Sequence, residues 1–374
     1  MGKQRNLFSG VFLVFTGMIV ACNIYSLIPL YGEISKEFNR GVVEVALGST
    51  FFSIFYACGL LLFGPVSDRV GRKTIVSAGL LISTISTSLL SFSENLTMLY
   101  IFRGLQGFSL ATFAPVAFAY CFEIFCERQR TFWIALINAG FLVAGIVGQL
   151  LSNMLSTAVN WKFVYIIYAL IYIILFIFAL VILPRTNIAK NKLALRETII
   201  QMLKLFKNKN LLYCYLIVPT LLFSFVTFYE TFSYRFINED IYFFRIIGLT
   251  GVILSIFTKK IIDNYSLKNT FIFSICLGLI STLLLFIRSS LVWISIISIL
   301  LVAAISLLIP TIIHLIGTYS GNERGKALSL YSFLLLLGAS AGPVIAAIFP
   351  YTFVLFILLS IFIINGIITI QLRL

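Results

Sequence analysis

An arginine at position 103 stands inside the apolar stretch LYIFRGLQG (99–107). Its guanidinium stays charged at any ordinary pH and carries five N–H donors in a planar fork. In a low-dielectric setting such a group can hold an anion or set the charge of a nearby carboxylate. Gln106 follows one turn later, and Asn23 and Gln149 fall at similar depth in other apolar runs, as partners or substrate contacts. Carboxylates are scarce there: of thirteen Asp and Glu, only Glu44 and Glu230 sit within apolar runs, both near run ends. Glu230 is embedded in FSFVTFYETFSYRF (223–236). Apolar surroundings favour the uncharged form of a carboxyl group, which makes Glu230 the preferred proton carrier over Glu44 or the loop acid Glu123. The run also reads as an interfacial aromatic belt, with Glu230 at a solvated helix end.

A second group with chemistry is GPVSDRVGRK (64–73), four charges between two apolar stretches. Gly64 has no side chain, so another helix can pack close to it. Asp68 is an anion that the partial positive charge of a helix N-terminus would stabilise. Arg69, Arg72 and Lys73 anchor the loop on one side of a membrane. A tight turn carrying topogenic charges explains the basic residues but leaves the Gly–Asp spacing without a reason.

The elements that must position these groups follow from composition. The chain has 374 residues, 60% hydrophobic and 11% charged, with a mean hydropathy of +1.08. Soluble domains are about 45–50% apolar and about 25% charged, so the solvent here is the bilayer. Six cysteines without paired spacing read as small membrane-buried hydrophobes, with no disulfide role. A lone His314 and scattered carboxylates give no metal site and no clustered nucleophile, base and acid. An enzyme is therefore disfavoured. Lys3 and Arg5 precede an apolar run that continues past the lipoprotein-like IVAC to Leu30, a retained first helix rather than a removed signal.

A spanning helix needs about 20 mostly apolar residues. Twelve runs qualify: 7–30, 43–63, 74–92, 97–122, 132–156, 163–183, 211–232, 242–258, 269–287, 291–313, 326–349 and 353–371, the eighth being the shortest. Placing the N-terminus inside puts twenty of the 27 Lys and Arg in cytoplasmic segments, six outside and Arg103 within a helix. That asymmetry predicts cytoplasmic termini and accounts for the net charge of +14 without a nucleic-acid partner. The predicted organisation is an all-α membrane protein: a six-helix bundle over 1–183, a linker over 184–209 and a second six-helix bundle over 210–374. Within the linker, Leu195, Ile199, Met202, Leu203 and Phe206 recur at helical spacing, an amphipathic helix expected to lie along the inner membrane surface. The halves echo each other: Asp68 and Asp263 are 195 residues apart, and Glu127-Arg128 precedes Glu323-Arg324 by 196. Internal repeats of this kind build many secondary transporters.

GPVSDRVGRK resembles the loop after the second helix of the major facilitator superfamily, with Gly64, Asp68, Arg69, Gly71, Arg72 and Lys73 in register. LYIFRGLQG resembles the family's helix 4 motif through Leu99, Arg103, Gln106 and Gly107, and NWKFVY (160–165) its entry to helix 6. The resemblance spans the chain and is strongest to bacterial twelve-helix drug:proton antiporters. It implies two pseudo-symmetric bundles alternating about a central cavity, with Asp68 latching the cytoplasmic side by meeting the N-terminus of helix 11 near Ser320 to Lys326. It also implies a proton-handling role for Arg103. The helix 5 glycine–proline motif of those antiporters is incomplete: Gly140, Gly145 and Gly148 remain, and the proline spacing occurs instead in helix 11 as Gly338, Gly342 and Pro343. Plain helix packing through small residues explains these glycines equally well. Helix 1 lacks the acid many such antiporters carry.

The expected function is proton-driven export of hydrophobic or amphipathic small molecules, by a monomer in the cell membrane that needs the proton gradient and no cofactor. The missing helix 1 acid favours an alternative, a facilitator or dedicated metabolite carrier. A ligand-binding sensor or scaffold of the same fold is a third possibility.

Overall fold

The computed structural model describes residues 2–185, 195–235, 241–288 and 290–372. Lys190, Lys192 and Arg373 of the charge tally lie outside them. Among the described residues, eleven helices are long and apolar enough to cross a membrane, and a shorter apolar one joins them. In chain order these are α1 (Asn6–Phe38), α2 (Val42–Val70), α3 (Arg72–Leu90), α4 (Leu96–Ile124), α5 (Gln129–Ala158) and α6 (Trp161–Ile182). The second six are α7 (Lys209–Phe232), the short α8 (Phe244–Ile256), α9 (Thr258–Leu284), α10 (Leu291–Tyr319), α11 (Gly321–Ile348) and α12 (Tyr351–Gln371). Each apolar run becomes a helix because only internal pairing satisfies its backbone in hydrocarbon. The most buried spans are α4, 83% in its most apolar window, and α10, 72%. They are equivalent helices of the two halves, which identifies the centre of each.

Starts and breaks are set by single residues. Asn95 and Asn160 cap α4 and α6, accepting from the backbone N–H of Met98 at 3.0 Å and of Phe163 at 2.9 Å. α4 is interrupted between Leu110 and Ala114, where Pro115 cannot donate to the carbonyl one turn back. α8 is interrupted by a 3-10 turn at Thr250–Val252. There Gly251 lies so close to the α10 backbone that a Cβ would sit 2.8 Å from the Ala303 nitrogen.

The repeat seen in the sequence has a backbone counterpart. α2 ends at Gly71, with φ 101° and ψ 140°. The loop expected over 259–268 is helical up to Ser266, which breaks α9 with φ 71° and ψ 161°. The two breaks are 195 residues apart, each three residues after an aspartate. Each aspartate also pairs with a basic residue one helical turn away: Asp68 with Arg72, and Asp263 with Lys259. Backbone at positive φ and extended ψ costs a residue with a side chain about 1–3 kcal/mol. Gly71→Ala is therefore expected to lower the melting temperature of purified protein. Ser266→Gly is expected to raise it, because the weak 3.3 Å cap from the Asn269 N–H to Ser266 Oγ is worth only a few tenths of a kcal/mol over glycine.

Contacts group Met1–Phe125 with Gly140–Ala194 in one compact unit, and Cys126–Ala139 with Leu195–Leu374 in the other. In the first, α5 packs on α1 at Gly148, where a Cβ would lie 2.6 Å from the Cys22 carbonyl oxygen. Gly140 is also close to α1, where a Cβ would lie 3.4 Å from the Val14 carbonyl oxygen, whereas a Cβ on Gly145 would meet only the Tyr25 ring, at 3.7 Å. Gly107 of α4 abuts the Phe52 carbonyl of α2. In the second unit, Gly338 of α11 abuts the Pro219 carbonyl of α7, and a Cβ on Gly342 would lie 3.0 Å from the Thr227 nitrogen. Pro343 follows within α11. Both glycine-bearing seams thus join equivalent helices, α5 to α1 and α11 to α7. Overpacking a tight contact costs about 1–3 kcal/mol, whereas Gly→Ala in open helix is favourable. Gly148→Ala should destabilise the protein and Gly145→Ala should not, as read by thermal unfolding in detergent.

The linker helix, Leu195–Leu205, differs from a simple membrane-surface helix. Met202 is buried, Phe206 packs on Tyr215 of α7, and Gln201 accepts from Lys326 of α11, while Leu203 is exposed. Met202, Leu203 and Phe206 divide between protein and surroundings because α7 and α11 cover part of the segment, and the Leu195 and Ile199 side chains lie outside the described ones. Cys58, Cys126 and Cys276 are likewise exposed, and only Cys22, Cys121 and Cys214 are buried.

Candidate functional site

The first unit holds a polar core in an apolar setting. Arg103 is wholly buried, so its side chain does not reach outward to the membrane surface. Its Nη1 donates to Gln106 Oε1 at 2.6 Å and to the Asn23 carbonyl at 3.2 Å. Gln106 Nε2 donates to Asn23 Oδ1 at 2.8 Å and to Thr87 Oγ1 at 3.0 Å. Asn23 Nδ2 donates to the Tyr172 hydroxyl at 2.6 Å, which itself points to the Ile19 carbonyl at 3.3 Å. Four helices, α1, α3, α4 and α6, thereby share one network, and Phe52 of α2 lies under the guanidinium at 4.4 Å. Arg103 and Gln106 reach it from one face because they are three residues apart on α4. Burying such groups is tolerable only when they are hydrogen-bonded.

Sequence reasoning brought Arg103, Gln106 and Asn23 together but missed Phe52, Thr87 and the tyrosines. Tyr165, Tyr168 and Tyr172 are all fully buried. Their spacing of three and four residues was the available signal, one hydroxyl-bearing face of α6. Gln149 does not join the network: its amide donates to the Gly145 carbonyl of its own helix at 2.8 Å.

The Asp68 loop forms a second cluster within the same unit. Arg72 is its hub, nearly buried, pairing with Asp68 and with Glu123 at 2.9 Å. The same guanidinium donates to Ser67 and, at 3.3 Å, to the Gly64 carbonyl. Lys73 donates to the Leu180 carbonyl at the end of α6 at 2.6 Å. Arg72 and Lys73 are thus engaged inside the unit, rather than forming only a solvated basic run. Gly71 is the break that lets α3 start at Arg72 and turn its side chain back onto α2. Arg69 is half-buried at the last turn of α2.

Two acids sit elsewhere than a free carboxyl in hydrocarbon would. Glu44 caps α2, its Oε2 accepting from the Gly41 N–H at 2.8 Å, because that end of the helix leaves N–H groups without partners. Glu230 pairs with Arg245 of α8 at 3.2 Å, both partly exposed. Aromatic packing continues beside it, with Phe228, Tyr229, Phe232 and Phe244 in mutual ring contact.

Matches to known proteins agree with this architecture. The Major Facilitator Superfamily model matches residues 13–243 and 241–372. An "Uncharacterized transporter" of Buchnera aphidicola subsp. Schizaphis graminum is 29% identical over 347 residues, 90% of this chain and 81% of its own. "Multidrug resistance protein MdtM" of Escherichia coli O157:H7 is 31% identical over 157 residues, 41% of this chain and 38% of its own. "Multidrug resistance protein D" of Escherichia coli is 29% identical over 171 residues, 44% and 42% of the two chains. With its multi-pass helical architecture, its charged loop after α2 and a family match running almost end to end, the chain belongs to the major facilitator superfamily, whose members are secondary transporters moving small-molecule substrates across membranes.

Proposed function

We propose that this transporter exports hydrophobic or amphipathic small molecules, driven by the proton gradient. The observation that carries the reading is the buried core at Arg103. A charge inside a membrane span costs about 2.5–3.5 kcal/mol on insertion scales and marks a substrate or ion path. Partial matches to two proteins named for multidrug resistance support the substrate class. In this reading Arg103, Gln106 and Asn23 form the substrate and proton path, and the Glu230–Arg245 pair couples to the proton. Asp68 acts as the latch, meeting the N-terminus of α11 in one conformation and leaving it in the other. Both termini lie in the cytoplasm, on the charge asymmetry of the loops.

A facilitator without proton coupling is the second reading. It is favoured by Asn23, a side chain that cannot titrate, occupying α1 in the middle of the Arg103 network. The test is reconstitution in liposomes with an imposed pH gradient and a panel of dyes and metabolites. Gradient-driven accumulation of amphipathic dyes supports export. Movement that ignores the gradient favours the facilitator.

A further inference from the structure

We infer that Arg103 is the recognition point for one class of substrate, amphipathic molecules carrying a single carboxylate. The inference deepens the proposed export function and rests on it only for direction of transport. Arg103 uses one nitrogen, Nη1, for both of its hydrogen bonds. Its Nε and Nη2 are buried and have no hydrogen-bond partner in the protein. These two N–H groups lie on the same edge of the guanidinium and point in parallel, the fork that receives both oxygens of a carboxylate. Among the described residues no Asp or Glu lies within ion-pair distance of Arg103. Its electrostatic neighbours are the hydroxyls of Tyr165, Tyr31 and Tyr172.

An unpaired buried cation is costly even after its surroundings relax. The described residues supply hydrogen bonds and an aromatic face but no counter-charge. A monoanion would neutralise the site, whereas a dianion such as a phosphate monoester would leave a net negative charge in the same apolar surroundings. Phe52 fixes the guanidinium plane from one side, so the edge keeps its direction. The buried Tyr165 hydroxyl, an electrostatic neighbour of the guanidinium that also lies beside Ser26, supplies a further donor beside the fork. The aromatic side chains around the guanidinium, Phe52, Tyr31, Tyr165 and Tyr172, suit an apolar or aromatic body.

The experiment measures binding to full-length protein in nanodiscs, using naphthoate, the neutral naphthamide and the dianionic naphthyl phosphate. Wild type is expected to bind naphthoate at least about tenfold more tightly than either analogue, a difference of about 1.4 kcal/mol. Arg103→Gln should remove the preference. Arg103→Lys, which keeps the charge and loses the fork, should remove most of it, and Tyr165→Phe should weaken it a few-fold. Equal affinity for naphthoate and naphthamide in wild type would overturn the inference, as would a preference that survives in Arg103→Gln. The wild-type comparison stands even if that variant does not fold. Dye export by the same preparation separates the two readings. Export without any carboxylate preference rejects the anion fork alone. Carboxylate preference without transport rejects the exporter alone.

Discussion

Asp68→Asn is expected to lower transport about tenfold or more while leaving expression and substrate binding largely intact. Asparagine keeps the size and one acceptor oxygen, so the contact with Arg72 can persist in weakened form. Arg72 also keeps Glu123, at 2.9 Å, as its counter-charge. The stability cost should therefore stay near the ~1 kcal/mol of a partly exposed pair; Asp68 is 21% exposed. The proposed latch depends on the full negative charge, and a change of about 1.4 kcal/mol in a two-state equilibrium alters the ratio of states tenfold. Double electron–electron resonance across the loops should show a redistribution between two distances. Normal transport with an unchanged distribution would remove the latch. Glu123→Gln serves as the comparison, with a smaller effect expected because Asp68 still neutralises Arg72.

Gln106→Leu is expected to cause the largest loss of stability of any single change in the polar core. One side chain accepts from Arg103 and donates to both Asn23 and Thr87. Leucine fills the same volume, so the loss isolates the polar contacts from packing. A buried group left unsatisfied costs about 1–3 kcal/mol, although hydrogen bonds within membranes average nearer 0.6. With three contacts broken, the sum expected is about 2–4 kcal/mol. Gln106→Glu should be tolerated better: it keeps an acceptor for Arg103 and adds the missing negative charge. Thermal unfolding of both variants beside wild type decides this. Equal melting temperatures for Gln106→Leu and wild type would mean that the network adds nothing to stability.

The spans were legible in the sequence because length and apolarity alone define them, while the caps at Asn95 and Asn160 and the break at Gly71 emerge from the structure. Arg103, Gln106 and Asn23 were legible for a related reason: polar groups at matching depths in hydrocarbon have few places to go except each other. The partners that sequence reasoning missed are contacts between distant helices. Phe52 under the guanidinium and Tyr172 on Asn23 lie 51 and 149 residues away from their partners. Membrane helices are apolar on all sides, so their periodicity does not say which face turns inward. Glu44 and Gln149 show the converse limit. Both stand at suggestive depths, yet one satisfies a helix end and the other its own backbone, local needs that competed with function. Glu230 and Arg245, on α7 and α8, meet as a pair that the periodicity of neither run shows. Ser266 was unreadable as a break, since nothing in its residue type demands positive φ.

Proton coupling is the claim on which the proposed function turns, and substrate-induced proton movement in proteoliposomes tests it most directly. The measurement compares wild type, Glu230→Gln and Glu44→Gln at several pH values, with an exported dye as the driving substrate. The account expects proton movement in wild type, its loss in Glu230→Gln, and its retention in Glu44→Gln, whose carboxylate caps a helix. Normal coupling in Glu230→Gln would contradict the account, and dye movement with no proton movement in wild type would make the protein a facilitator.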